Sequence, residues 1–194
     1  MKKLILYSFL FLQLFLIQAC DVNESNKIID PTPFSLSVGN KYHFSHSTRV
    51  INDPNSTSWF TSDEIIKDTL ANGMKYYVFA DGLKLRADEK IVYSLLNDSD
   101  KIYFSFNSNI GDTILFENHF YTLKEIRTSN DFFGESLILY TISNEIFSPD
   151  SIIQYSISKK FGIVDFSLGY VNTIKSFYLD GAIINNIAYG RLKN

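Results

Sequence analysis

Residues 151–158 read Ser-Ile-Ile-Gln-Tyr-Ser-Ile-Ser, and their alternation decides the fold class. Ile153, Tyr155 and Ile157 fall on one face of an extended chain and Gln154 and Ser156 on the other, the period of a half-buried strand. Residues 101–106 repeat the pattern with Ile102, Phe104 and Phe106, and Leu83-Lys84-Leu85-Arg86 does so on a smaller scale. Further strands are expected at 42–51, 58–70, 75–79, 90–95, 120–126, 137–143, 163–167, 171–179 and 182–188. Between them stand Ala71-Asn72-Gly73, Asp81-Gly82, Asn97-Asp98-Ser99-Asp100, Phe116-Glu117-Asn118, Ser148-Pro149-Asp150 and Asp180-Gly181, which tolerate positive φ or cap turns with their side chains. Turns every 8 to 12 or so residues point to antiparallel hairpins, not βαβ units. The expectation is an all-β fold, an antiparallel meander of about 10–12 short strands closed into a sandwich or a barrel.

The composition agrees. Twelve Tyr and 17 Phe suit a pleated, half-buried surface. Most of these rings must fill the core, so no single one marks a site by itself. Residues 128–136, with Phe132-Phe133-Gly134, read as a longer loop carrying exposed aromatics. Phe132 and Phe133 are accordingly the candidate binding-loop residues. One internal echo is visible: Val38-Gly39-Asn40 and Ile110-Gly111-Asp112 each enter an aromatic strand. Too few residues match to establish a repeat, and two similar turns are the simpler account beside a duplicated half-domain.

The chain opens with Lys2-Lys3, followed by an apolar run from Leu4 to Ile17. A basic head, an apolar core and a small residue at its end describe a secretory signal peptide. The run is short against the about 20 apolar residues of a membrane span. Ile17-Gln18-Ala19-Cys20 resembles the lipobox of bacterial lipoproteins, although leucine is commoner at the position of Ile17 and a small residue at that of Gln18. The resemblance implies cleavage before Cys20 and acyl chains on the new N-terminal cysteine. An incidental cysteine beside an ordinary cleavage site is the competing reading. Against it, Cys20 is the only cysteine, so it has no internal disulfide partner, and a free thiol is a liability in an oxidising compartment. The expected organisation is a signal peptide at 1–19, a flexible tether at 20–33 rich in Asn, Asp, Ser and Pro, and a single β domain at 34–194.

A second resemblance spans nearly the whole domain. Phe34-Ser35-Leu36-Ser37-Val38-Gly39-Asn40-Lys41-Tyr42 and Gly181-Ala182-Ile183-Ile184-Asn185-Asn186-Ile187-Ala188-Tyr189-Gly190 are similar to the opening and closing segments of a family of exported β-domain proteins of Bacteroidota-like bacteria. That family tends to start FPLxVGNxW and to end GxxINGxxYG. Ser35, Tyr42 and Asn186 depart from its Pro, Trp and Gly. The resemblance implies a one-domain β protein and brings no activity with it.

Chemistry is sparse. His43 and His46 form a His-x-x-His pair, but residues three apart on a strand point to opposite faces and share an ion poorly. No metal site and no cofactor is expected. There is no Gly-x-Ser-x-Gly elbow and no phosphate-cradling glycine loop. Asn97-Asp98-Ser99-Asp100 lacks the glycine and distal glutamate of a calcium loop. Asp63-Glu64 and Asp88-Glu89 read as solvated surface rather than as a glycosidase pair. Eighteen basic against 21 acidic residues, without a basic stripe, exclude nucleic acid as a natural partner. What remains is a non-catalytic, lipid-anchored envelope domain that binds a glycan, lipid or protein, with membrane attachment through acyl chains on Cys20. A hydrolase with an unrecognised site and a purely structural envelope component are the alternatives. Outer-membrane attachment is expected, with the periplasmic and external faces both open.

Overall fold

The computed structural model describes residues 34–117, 119–145, 151–170 and 172–192. The signal segment, Cys20, the tether and the turn at 148–150 lie outside these residues. No helix occurs among the described residues; thirteen strands follow one another instead. They are β1 (Lys41–Val50), β2 (Ser56–Ala71), β3 (Met74–Phe79), β4 (Lys84–Ala87), β5 (Ile91–Leu96), β6 (Ser99–Ser105), β7 (Thr113–Phe116), β8 (His119–Phe132), β9 (Glu135–Glu145), β10 (Ser151–Ser158), β11 (Gly162–Tyr170), β12 (Thr173–Ile184) and β13 (Ile187–Gly190). Neighbours in sequence pair antiparallel, and β12 returns to pair with β1. Only β6 and β7 approach without a ladder between them. The sheet is therefore a meander nearly closed into a barrel, with its seam between β6 and β7; β13 adds to the end of β12.

Alternation sends one face of each strand into the lumen. Ile65, Leu123, Ile142 and Val164 meet there with no exposed surface, joined by Phe104, Phe116 and Phe161. The echo seen in the sequence has a structural counterpart. Gly39 N–H donates to the Ile65 carbonyl (2.8 Å), and Ile65 N–H donates back to the Asn40 carbonyl (2.9 Å). In the other half Gly111 N–H donates to Leu123 (2.8 Å) and Leu123 N–H to Asp112 (2.9 Å). Asn40 and Asp112 each close a turn on the residue three back, Ser37 and Asn109. Both turns need a left-handed residue, with φ of +88° at Gly39 and +95° at Gly111, which glycine adopts without steric cost. These two turns start the two six-strand runs, β1–β6 and β7–β12.

Three sequence expectations are corrected here. Asp180-Gly181 is not a turn: both residues lie inside β12, where the register slips between His43 and Phe44 of β1 and Asp180 is the extra, bulged residue. Glycine follows because β13 leads the chain back across it; a Cβ at Gly181 would run into the Arg191 carbonyl. The turn falls instead at Asn185-Asn186, both with positive φ, and it divides the expected strand 182–188 between β12 and β13. Residues 128–136 are likewise not a long loop. They form the β8–β9 hairpin, closed by the two-residue turn Phe133-Gly134 with Phe132 opposite Glu135.

The two segments that bracket the domain in sequence lie side by side. Lys41 and Tyr42 pair with Ile183 and Ala182, and the Asn40 side chain accepts a hydrogen bond from Asn185 N–H (2.9 Å).

Candidate functional site

The strands around the barrel differ in length, and this shapes the lumen. β4 and β7 have four residues each, whereas β2 has 16 and β12 has 12. The inner face of β2–β1–β12–β11–β10 continues past the lumen's cavity as a shelf.

Below the shelf is an apolar cavity of about 110 Å³, walled among others by Tyr42, Phe44, Phe79, Leu85, Val92 and Phe104. Phe34 and Leu36 form part of its wall, with Ser35 N–H bonded to the Lys159 carbonyl at the β10–β11 turn (3.3 Å). Asp63 is the one carboxylate in this lining. It accepts Glu64 N–H (2.8 Å), and burial pushes its carboxyl above the usual range. Burial also raises the Tyr42 phenol to about 12. Across the lumen, the Tyr103 hydroxyl donates to Glu117 (3.1 Å).

Above the cavity, direct cross-strand partners on five strands form one row: Tyr155–Phe166–Phe177–His46–Trp59. Their centroids are 4.9, 5.0, 5.3 and 5.1 Å apart in that order. The row belongs to the inner face, because Leu179, Val164 and Ile157, two residues along from its members, are core residues. Phe44 joins it to the cavity, lining the one and meeting Phe177 of the other edge-on at 5.4 Å. Trp59 stands at the open end, 45% exposed. His46 is held between Trp59 and Phe177 with Nε2 2.6 Å from the Thr61 hydroxyl, and burial lowers its pKa, so the ring is neutral at physiological pH.

Phe177 has Phe166 stacked along it at 17°, and His46 lies along Trp59 at 13°. In each of these two pairs one face of each ring is covered by its neighbour. A sugar ring stacks on a free aromatic face, whereas an alkyl chain needs only an apolar wall. The shelf suits a chain.

The sequence-singled residues are placed as follows. Phe132 and Phe133 do not stand out from the surface. Phe133 packs edge-on against Phe161 (5.4 Å) and near Tyr189 (6.3 Å), with Phe132 beside it, and both are partly buried against the core. His43 and His46 occupy opposite faces of β1, and no group of three or more His, Cys, Asp or Glu among the described residues has the arrangement to hold a metal ion. Asp63 and Glu64 also split, Asp63 inward and Glu64 outward to Lys41 (3.0 Å). Asp88 caps the β4–β5 turn by accepting from Lys90 and Ile91 N–H. Asp100 pairs with Arg86 and accepts from the Tyr76 hydroxyl in an outer-face network, with Arg86 over the Tyr93 ring.

No protein-family model and no curated protein matches the chain. Among solved structures, a LolA superfamily protein from Nitrosomonas europaea aligns over 83% of this chain and 90% of its own, at 7% identity and a TM-score of 0.21. A superposition that poor supports no argument about fold or ligand.

Proposed function

We propose that the chain is a lipid-anchored protein of the bacterial cell envelope, attached to the outer membrane through Cys20, whose barrel holds an apolar chain in its lumen without catalysing a reaction. The observation that carries this reading is the continuity of the cavity with the aromatic row through Phe44. An engineered apolar cavity of about 150 Å³ accepts benzene; the 110 Å³ here takes the end of a chain, and the shelf takes the rest. Ten buried methylenes at about 0.8 kcal/mol each give roughly 8 kcal/mol, a micromolar Kd before the costs of association.

Trp59 is the only tryptophan and stands on the shelf, so it reports occupancy directly. The apolar dye N-phenyl-1-naphthylamine should bind with energy transfer from Trp59 and be displaced by dodecanol. Leu83 also lines the cavity, and narrowing it with Leu83→Phe should weaken the dye. A dye that does not bind, or that binds equally when the cavity is filled, refutes the reading.

A further inference from the structure

We propose that the mouth of the lumen selects an anionic amphiphile, its acidic head group held by Lys175 beside the hydroxyls of Thr48 and Thr57. This rests on the lumen being the ligand site and adds the chemical class of what enters it.

Register places the three residues. Two positions up from His46 and Phe177 on the same inner face come Thr48 and Lys175, which are direct partners, and Thr48 in turn pairs with Thr57. Leu168 flanks Lys175 on the far side and Ile153 flanks Leu168. The shelf thus has two tiers. The lower is the aromatic row, and the upper is Ile153–Leu168–Lys175–Thr48–Thr57, apolar at one end and polar with a cation at the other. Four residues along β1 separate Phe44 at the cavity from Thr48, roughly 13 Å at about 3.3 Å per residue. An amphiphile of moderate chain length spans that distance with its tail in the cavity and its head in the upper tier.

Charge on this inner surface is confined to its two ends. Across β1, β10, β11, β12 and residues 57–65 of β2, the residues that alternation turns inward include only two charged ones, Asp63 in the cavity wall and Lys175 at the mouth. The Asp63 carboxylate already accepts a backbone N–H (2.8 Å). Lys175 is exposed, and its ammonium has no ion pair or hydrogen bond among the described residues. On the opposite wall Glu117 is engaged by Tyr103 and influences Tyr155, the far end of the row from Trp59. Phe177, directly below Lys175, is two strands from Tyr155, or about 10 Å at ~4.8 Å per strand. An unpartnered ammonium with two hydroxyls on one side of it, directly above an apolar channel, offers a carboxylate or phosphate charge-assisted hydrogen bonds. It offers an ammonium head only repulsion.

The test uses the full chain carrying Cys20→Ser, with displacement of N-phenyl-1-naphthylamine read through Trp59. Dodecanoate, dodecanol and dodecylamine share one tail and differ in head-group charge. Dodecanoate should bind roughly tenfold more tightly than dodecanol, the size of one charge-assisted hydrogen bond, and dodecylamine should be the weakest. Lys175→Ala should remove the advantage of dodecanoate while leaving dodecanol unchanged, and Lys175→Glu should favour dodecylamine. If dodecanol binds as tightly as dodecanoate, or Lys175→Ala keeps the preference, the head-group assignment is wrong and the lumen reading stands. If neither the dye nor any of the three amphiphiles binds, both are wrong.

Discussion

Asn40 is 1% exposed, and its side chain ties the entry to β1 both to the segment just before it and to the last hairpin of the chain. Its Oδ1 accepts from Asn185 N–H at the β12–β13 turn (2.9 Å), and its Nδ2 donates to the Ser35 carbonyl (3.3 Å) in the segment that lines the cavity floor. Asn40→Ala removes both bonds and leaves a partly buried N–H without an acceptor. The lost net hydrogen bond is worth about 1 kcal/mol and the orphaned donor about 1 kcal/mol more, so roughly 2 kcal/mol is expected. For a domain of this size each kcal/mol lowers Tm by about 2–4 °C, which gives a fall of roughly 4–8 °C. The second half of the barrel provides an internal comparison. Asp112 holds the equivalent turn position, but it is exposed and its carboxylate accepts only the nearby Asn109 N–H (2.7 Å). Asp112→Ala should cost about 0.5–1 kcal/mol, because water replaces the lost partner. Thermal unfolding followed by circular dichroism compares the two variants. If Asn40→Ala melts within about 1 °C of the parent, or no lower than Asp112→Ala, the side chain is not the tie described here.

Two further outcomes are expected. The Tyr42 phenol, raised to about 12 chiefly by burial, stays neutral in the folded state while an unfolded tyrosine ionises near pH 10. Its contribution, up to roughly 2–3 kcal/mol, is complete below pH 10 and is lost as pH rises through the folded value; burial raises Tyr103 and Tyr155 too, so phenolate absorbance should jump as the barrel unfolds, by one tyrosine less in Tyr42→Phe than in the parent. Cys20→Ser should abolish acyl labelling and release the protein from membranes; a variant still labelled and still in the membrane fraction would contradict lipidation.

The strands were legible because their signal is local. Residues 151–158 alternate in the sequence and form β10 at the same bounds, and 101–106 and 75–79 come within a few residues of β6 and β3. The turns at Asn72-Gly73 and Asp81-Gly82 likewise follow from side-chain chemistry that acts within a few residues. Asp180-Gly181 has the same chemistry and is no turn, because what uses the glycine there is the close passage of Arg191 after a second hairpin. Phe132 and Phe133 looked exposed because their neighbours Ser129, Asn130, Asp131 and Glu135 are polar. Phe133 is covered by Phe161 and Tyr189, which belong to other hairpins, and Phe132 packs against Phe133.

The candidate site was illegible for a related reason. Its row joins positions 46, 59, 155, 166 and 177, and the step from Phe177 to His46 crosses the pairing of β12 with β1, which brings the last long strand against the first. No window along the chain contains that neighbourhood, and each member taken alone is an ordinary strand aromatic. The same pairing explains where the shelf lies. The seam falls between the seven-residue β6 and the four-residue β7, while the ten-residue β1 and the twelve-residue β12 meet at the closure on the other side. The aromatic row lies on that closure side of the barrel. Its exposed inner surface therefore stands on the wall with continuous ladders, a rigid support for a binding site. Aromatic side chains at those five positions complete one apolar surface only when both chain ends are in place.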